Sequence, residues 1–482
     1  MLFNSLQFVF FFIIVSLLYY TLRHRGRIWL LLLASCYFYM AFKPVYIFIL
    51  LFTIIVDYFA GIWIAQAEGK KRKWLLILSL ITNIGFLAIF KYFNFINQNL
   101  NIVFGLFGMQ NPIPDYPLDL PIGLSFHTFQ AMSYTIEVYR RNQKPEKDFI
   151  IYSLYVMFYP QLVAGPIERP QNLLWQFHTY FKYNFENIKA GLIRIAWGLF
   201  MKVVIADRLA MVVDYSYNDP VSHNGLTLLL ATFFFTFQIY CDFAGYSSIA
   251  IGCARLMGFN LMENFDAPYF SKSISEFWRR WHISLSTWFK DYLYIPLGGN
   301  RVSEWRLYFN FFLVFTISGL WHGAAWTYVI WGSLHGIYLI AAMMVKKYIP
   351  LGRKEKGEKN KDGLVNTNTF QLTVTKLWNI AFTFVLVMFT WIFFRAHGLS
   401  NAKTVILKIT QLKFSDVIAT PFSFNEMVFC WVLILVLLLK DKFARIISSE
   451  NTPLFYVKFI GLMIACYFLG VFTSNQFIYF QF

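Results

Sequence analysis

Long apolar runs alternate along this chain with short clusters of charged residues or of proline and glycine. The runs that are easiest to delimit cover roughly 5–22, 28–42, 45–66, 74–96, 374–396, 424–440 and 454–473. A run of about 18 residues or more can cross a hydrocarbon core about 30 Å thick. Helices satisfy their own backbone hydrogen bonds in lipid, and the runs lack the alternation of barrel strands, so the pattern predicts transmembrane helices.

Breaks in the apolar pattern predict segments that do not cross the membrane as straight helices. The segment FYPQLVAGPIERPQNL contains three prolines and a glycine, which favours a re-entrant or interfacial course. The chain, residues 1–482, is predicted to form a single all-α membrane domain of about eleven spans, with re-entrant and interfacial helices around a central tunnel. A hydrophilic linker is predicted at 346–368.

Composition and charge indicate where the protein resides. The 482 residues are 58% hydrophobic and 14% charged, with a mean hydropathy of +0.52, which excludes an ordinary soluble globule. The formal charge is +17, but the basic residues cluster between apolar runs, so orientation among membrane lipids explains them and nucleic-acid binding is not expected. Five cysteines scattered in apolar segments are expected to be small core residues.

The basic clusters also predict an orientation. Clusters at 23–27, 70–73 and 140–147 belong in the cytoplasm if positive charge stays inside. We therefore expect a multi-pass protein of the cytoplasmic (inner) membrane with its N-terminus outside. The proline-rich loop at 97–121 is predicted to face outward.

Polar side chains inside apolar runs are costly, which makes them candidates for function or for ion pairs. Asp242 lies in mid-run, and a buried pair and a polar pathway are both open for it. His127 and Glu137 either line a substrate path or bond to neighbouring helices. The run 188–213 contains charged residues that are expected to pair or to reach the interface, among them Arg194, Lys202, Asp207 and Arg208.

The stretch from Glu276 to His335 concentrates charge among tryptophans. His322 ends the apolar run FNFFLVFTISGLW, which places an imidazole at membrane depth, and His282 is its candidate partner. A neutral imidazole within hydrogen-bond reach of a hydroxyl can accept the proton that makes the hydroxyl a nucleophile. The histidines lack ligand spacing such as HExxH, so no metal site is predicted.

Four other polar residues of this stretch are weaker candidates for the site. His335 follows 13 residues after His322, which on one continuous helix would separate them by about 20 Å, so a structural role is expected for it. Arg279, Arg280 and Lys290 are candidates either for the phosphates of a donor or for lipid headgroups.

Six segments together carry a family resemblance. They read FWRRWHISLSTWFKDYLYIPLGGNR, SGLWHGAAW, YCDFAGYSSIAIG, LPIGLSFHTFQAMSYTIEVYR, QLVAGPIERP and FIYFQF. The chain resembles the membrane-bound O-acyltransferase family, specifically its alginate O-acetyltransferase branch, from Met1 to Phe482. The related membrane protein of teichoic acid D-alanylation shares the two-histidine pattern. His127 departs from the family, in which Phe or Tyr is expected at that position.

The resemblance implies acyl transfer across the membrane. His322 of SGLWHG matches the catalytic histidine of the family, and His282 of RRWH matches its second one. The implied donor is the substrate acetyl-CoA, with no bound cofactor, and the implied acceptor is an exported polysaccharide, reached with a separate outer-face acyltransferase partner. Five further residues are expected to line the substrate tunnel: Trp321, Asp242, Ser318, Arg279 and Arg280.

Three alternatives to this function remain open. Peptidoglycan O-acetylation and teichoic acid D-alanylation would change only the donor or the acceptor. A polysaccharide or lipid transporter would be a different class of protein, because broken helices and charge in mid-membrane also mark carriers.

Overall fold

The computed structural model describes residues 1–116, 118–163, 165–348, 369–413, 415–443 and 452–472. These ranges are mainly helical and contain no β-strand, so the all-α prediction is confirmed. Six continuous helical segments in them, some of which join more than one helix, are long and apolar enough to cross a membrane: Pro44–Gln66, Gly69–Leu106, Gly225–Leu256, Trp326–Tyr348, Val374–Arg395 and Thr452–Leu469. The protein is thus a polytopic helical bundle, while the count of eleven spans and the central tunnel stay predictions.

The helices begin and end close to the apolar runs. In chain order they are α1 (Leu6–Thr21), α2 (His24–Met40), α3 (Ile47–Gln66), α4 (Gly69–Leu87), α5 (Phe93–Leu106), α6 (Leu124–Tyr139), α7 (Phe149–Met157), α8 (Tyr159–Leu162), α9 (Pro170–Phe177), α10 (Phe185–Leu199), α11 (Asp207–Tyr217), α12 (Gly225–Leu256), α13 (Ile274–Arg280), α14 (Ile283–Phe289), α15 (Glu304–His322), α16 (Trp326–Tyr348), α17 (Thr369–Arg395), α18 (Leu399–Thr410), α19 (Phe424–Phe443) and α20 (Thr452–Leu469). Short π-helical turns occupy Ala88–Tyr92, Phe200–Ala206 and Lys290–Tyr294.

The chain divides into two compact units. The first comprises Met1–Arg208, Gln238–Glu263 and Ala444–Phe482, and the second comprises Leu209–Phe237 and Asn264–Phe443. The predicted linker at 346–368 overlaps the end of α16 at 346–348, and the rest of it lies outside the described residues. The FIYFQF segment also lies outside them.

In the first unit, α10 meets the part of α12 that follows Gln238 at glycines. A Cβ atom on Gly198 of α10 would lie 2.6 Å from the carbonyl oxygen of Gly245 on α12, and one on Gly191 would lie 2.7 Å from that of Gly252. No side chain larger than hydrogen fits at such distances. Small residues therefore let α10 and α12 approach at backbone distance, which is how membrane helices pack most closely.

A buried ion cluster in the first unit accounts for Asp242. The Lys202 Nζ lies 2.8 Å from a carboxylate oxygen of Asp242 and 2.8 Å from one of Asp207. Lys202 lies within the π-helical turn, whose i to i+5 repeat stacks Asp207 over it. Pairing within this run is therefore confirmed for Lys202 and Asp207, while a part for Asp242 in the substrate path stays a prediction.

The predicted break in the proline-rich segment is present. Helix α7 ends at Met157, and the N–H of Tyr159 donates to the Ser35 hydroxyl at 3.0 Å instead of continuing the helix. The carbonyl of Tyr155, which the break leaves without its helical donor, accepts the side-chain amides of Gln130 at 2.5 Å and Gln161 at 2.9 Å. Two glutamines thus stabilise the interruption, as backbone groups buried away from water require.

The second unit contains a tight hairpin of α15 and α16. A Cβ on Gly319 would lie 2.2 Å from the carbonyl oxygen of Tyr328, and one on Gly332 would lie 2.2 Å from that of Phe315. The hydroxyls of Thr316 and Ser333 join the same two helices at 2.9 Å. The hairpin reverses the chain directly after His322, and this reversal shapes the site described next.

Candidate active site

His282 occupies a turn between two short helices. Helix α13 ends at Arg280, and α14 begins at Ile283 with His282 as its N-cap residue. The backbone of His282 is left-handed, with φ 44° and ψ 54°, and its Nδ1 accepts the N–H of Leu285 at 3.3 Å. An N-cap side chain satisfies a backbone donor that the first turn of the helix leaves open.

His322 is the last residue of α15. Gly323 follows it in an extended conformation, and a Cβ at that position would lie 2.2 Å from the ring of Tyr328. The sequence SGLWHG therefore needs glycine on both sides of the histidine, at Gly319 for helix contact and at Gly323 for the turn. Ser318 lies one helical turn before His322 and is buried, as is Trp321.

The structure brings the two histidines together. Their ring centroids are 6.3 Å apart, and the ring planes are inclined by 74°. His282 is fully buried and His322 is 3% exposed. The two imidazoles are thus close enough for one small reacting group to lie against both.

Aromatic rings surround His322. The centroid of its ring lies 5.0 Å from those of Trp321 and Trp331 and 5.6 Å from that of Phe394, in edge-to-face arrangements. Trp331 in turn stacks on Trp391 at 5.7 Å. A histidine enclosed in this way is shielded from bulk water, which strengthens the electrostatic interactions that it makes with a bound group.

The expected separation of about 20 Å between His335 and His322 is wrong. The ring of Trp331 lies 5.0 Å from that of His322 and 5.2 Å from that of His335, so one indole bridges the two. The estimate assumed one continuous helix, but the chain reverses between them and places them on different helices.

The hydrogen bonds of His335 fit the structural role expected for it. Its Nδ1 accepts the indole N–H of Trp278 at 3.2 Å, and its Nε2 lies 3.0 Å from the Thr390 hydroxyl. The Thr390 hydroxyl also donates to the carbonyl of Val387 at 2.7 Å. Both ring nitrogens are therefore engaged within the bundle.

The charged residues that were predicted for the site are not grouped around the two histidines in the same way as the aromatic rings. Arg280 is half-buried and pairs with Glu276 at 2.8 Å, whereas Arg279 and Lys290 are exposed. Asp242 belongs to the ion cluster of the first unit. A role for the arginines with phosphates stays a prediction. Within the described ranges, no three His, Cys, Asp or Glu side chains are grouped to hold a metal ion.

Two residues beside the histidines were missed from the sequence. Trp331 is one of many tryptophans in an apolar run, and nothing local distinguishes it. Asn264 accepts hydrogen bonds from both residues that follow His282. Its only signal in the sequence is a polar residue at the end of a loop, which is too common to be informative.

The fold and the site together define an integral membrane protein whose candidate catalytic groups are two imidazoles buried among helices. Comparison with known proteins identifies its family. The sequence profile of the membrane-bound O-acyltransferase family matches residues 141–394. The chain belongs to this family and is an O-acyltransferase.

Three relatives show how far the similarity extends. The chain is 40% identical over 408 residues to a probable alginate O-acetylase of Pseudomonas aeruginosa, an alignment that covers 83% of this chain and 73% of that protein. It is 36% identical over 443 residues to a peptidoglycan O-acetyltransferase of Helicobacter pylori, covering 84% and 79%. It is 28% identical over 260 residues to a teichoic acid D-alanyltransferase of Bacillus subtilis, covering 50% and 64%. Because the chain belongs to a family of acyltransferases, its function is acyl transfer, and the transporter alternative is not supported.

Proposed function

We propose that the chain transfers an acetyl group from cytosolic acetyl-CoA toward hydroxyls of an exported, alginate-type polysaccharide, with His322 and His282 as catalytic residues. The observation that carries the proposal is the buried pair of imidazoles, 6.3 Å apart between ring centroids. Relatives that align with most of the chain and are named for O-acetylation support the acetyl group and the acceptor.

The N-cap bond supports separate roles for the two histidines. Because the Nδ1 of His282 accepts the Leu285 N–H, the proton of its neutral ring lies on Nε2. An imidazole in that tautomer presents an N–H donor to the site and no free base. His282 is therefore suited to donate a hydrogen bond to the thioester oxygen, and His322 is left as the general base.

These two histidines account for the transfer of the proton and for the charge that develops during the proposed reaction. A ring nitrogen of His322 takes the proton of the acceptor hydroxyl as its oxygen attacks the acyl carbon. The N–H of His282 stabilises the oxyanion of the tetrahedral intermediate. When the carbon–sulfur bond breaks, the proton held by His322 passes to the thiolate, which yields an acetyl ester and free CoA.

A partner completes the pathway that we propose. An outer-face acyltransferase would take the acetyl group from a hydroxyl presented at the membrane and deliver it to the polysaccharide. In this arrangement the membrane protein needs only a small acceptor hydroxyl, which suits an enclosed histidine that is 3% exposed. The direct and the relayed routes share the same chemistry at His322.

Peptidoglycan O-acetylation is the second candidate. It is favoured by the 36% identity to the Helicobacter pylori enzyme, which extends over 84% of this chain. Transfer of D-alanine is less supported, because the similarity to the Bacillus subtilis protein is 28% and spans 50% of the chain. The acceptor that becomes labelled separates these candidates.

The test is acetyl transfer from labelled acetyl-CoA by purified protein in detergent or nanodiscs, with alginate, peptidoglycan fragments and a surrogate alcohol as acceptors. His322→Ala is expected to lose about a hundred- to ten-thousandfold in rate, as removal of a general base does. His282→Ala is expected to lose at least about tenfold, and the double variant should be no slower than His322→Ala, because groups that act in one transition state are not additive.

The folded amount of each variant is measured by size-exclusion chromatography and thermal unfolding, and rates are normalised to it. His322→Ala with more than about half of the wild-type rate would exclude it as the base. Label that moves from D-alanyl thioesters but not from acetyl-CoA would replace the donor that we propose.

A further inference from the structure

Asn264 holds the turn that carries His282, although the two residues are distant in sequence. Its backbone carbonyl accepts the N–H of Ile283 at 3.0 Å. Its side-chain Oδ1 accepts the N–H of Ser284 at 3.3 Å and the hydroxyl of Ser284 at 2.9 Å. Three hydrogen bonds from one residue thus fix the two positions that directly follow the histidine.

The same segment also holds the chain before the histidine. The N–H of Asp266 donates to the carbonyl of Arg280 at 3.0 Å. Residues 264–266, which we call the 264–266 strap, therefore contact the backbone on both sides of His282. Hydrogen bonds to the strap thus hold the backbone before and after His282, and the position of the histidine depends on them.

The backbone of His282 requires such support. Its φ of 44° and ψ of 54° lie in the left-handed region, which disfavours residues with a Cβ. Conformations of this kind persist where the surrounding structure over-determines them, and they cluster at functional sites. Asn264 is 1% exposed, and Ser284 and His282 are fully buried, so water does not compete for these bonds.

We propose that Asn264 is a positioning residue for acyl transfer, whose side chain holds the His282 turn so that the Nε2 N–H keeps a fixed direction beside His322. This inference rests on the proposed function, because it acts through His282. Small misplacements of a catalytic group are costly in rate, since the geometry of approach is part of the barrier.

The test compares Asn264→Ala with Asn310→Ala. Asn310 is a matched control because it is also a fully buried asparagine of the second unit, with its side-chain amide bonded to the carbonyls of Leu297 at 3.2 Å and Gly299 at 3.4 Å. Asn264→Ala is expected to lower kcat about tenfold or more, with a KM for acetyl-CoA within about twofold of wild type. Asn310→Ala is expected to reduce thermal stability but to keep kcat within about twofold.

A milder variant guards against loss of folding. Ser284→Ala removes only the bond between the Ser284 hydroxyl and the Asn264 Oδ1. It is expected to lower kcat by a smaller factor than Asn264→Ala, with KM again unchanged. An unchanged kcat in Ser284→Ala, when Asn264→Ala fails to fold, would overturn the positioning role.

The decisive readout is the double variant. If Asn264 acts through His282, adding Asn264→Ala to His282→Ala should not slow the enzyme further, because the group that it positions is already gone. The inference would be overturned if Asn264→Ala lowered kcat by the same factor in the His282→Ala background as in the wild type. It would also be overturned if Asn310→Ala lowered kcat as much as Asn264→Ala does, because either result would indicate a structural effect. A wild-type rate in His282→Ala alone would overturn the proposed function itself, and a slow His282→Ala with additive Asn264→Ala would overturn only the inference.

Discussion

The ring of His282 lies 6.3 Å from that of His322, although forty positions of sequence separate them. One ring caps the start of α14 and the other ends α15. Each imidazole is therefore held at a helix terminus, where the backbone direction changes and a side chain can be directed into an enclosed site. This arrangement leads to four predictions beyond the tests already described.

The first prediction distinguishes a donor from a base at position 282. Asparagine can cap α14 with its Oδ1, tolerates the left-handed backbone that costs most residues about 1–2 kcal/mol, and still presents N–H donors. Aspartate caps equally well but has no donor and brings a charge. His282→Asn is expected to retain at least about tenfold more activity than His282→Asp.

The measurement is the normalised rate of acetyl transfer in the two variants at equal thermal stability. A rate for His282→Asp that equals or exceeds the rate for His282→Asn would indicate that position 282 acts as a base or only as a helix cap. His282→Ala serves as the reference for loss of both functions.

The second prediction concerns His335. His335→Ala leaves the indole N–H of Trp278 without its acceptor at 3.2 Å, and a buried donor left unsatisfied costs about 1–3 kcal/mol. We expect a lower midpoint of thermal unfolding, with more than about half of the activity per folded molecule, since a structural histidine does not act in the transition state. A loss of activity as deep as that of His322→Ala, at unchanged stability, would place His335 in the mechanism. Thr390→Val is the milder companion, because it removes the hydroxyl that bonds to Nε2 and to the carbonyl of Val387 but keeps the acceptor of the Trp278 N–H.

The third prediction tests the hairpin that presents His322. In Gly319→Ala, the new Cβ would lie 2.2 Å from the carbonyl oxygen of Tyr328, so α15 and α16 must separate. Overpacking of this kind typically costs about 1–3 kcal/mol, and the displacement moves His322, so both stability and rate should fall. Gly85→Ala is the matched control, because a Cβ there meets no atom within 4 Å. Equal behaviour of the two variants in thermal unfolding and in acetyl transfer would contradict the close contact.

The fourth prediction is the orientation in the membrane. Single cysteines at Lys71 and Gln110, both exposed, are introduced into a chain without its five native cysteines. An impermeant thiol reagent applied to intact cells is expected to label position 110 and not position 71, because the basic cluster at 70–73 stays in the cytoplasm. Labelling of position 71 from outside would reverse the topology, and permeabilised cells provide the control for reactivity.

The charged residues within the apolar runs show what can be predicted from hydropathy and what depends on packing. Asp242 was expected either to pair or to line a path, and its partner Lys202 was recognised only as one of several charges in another run. Hydropathy indicates that a charge in mid-run needs a partner, but not which one. The π-helical turn and the contact of α10 with α12 make that choice, and both depend on packing.

The sequence by itself determined that this protein is a helical membrane protein and that His282 and His322 are its candidate catalytic pair. Hydropathy is a local property and a bilayer allows few backbone solutions, so the helices can be recognised without coordinates. The two histidines were recognised from polar residues in apolar surroundings and from the resemblance of the SGLWHG and RRWH motifs to the family. Only the tertiary structure decided that His335 lies near His322 across Trp331, that His282 caps a helix with its Nδ1, and that Asn264 holds its turn. Those facts depend on where the chain reverses, at Gly323 and at the 264–266 strap, and on contacts between residues that no sequence period connects.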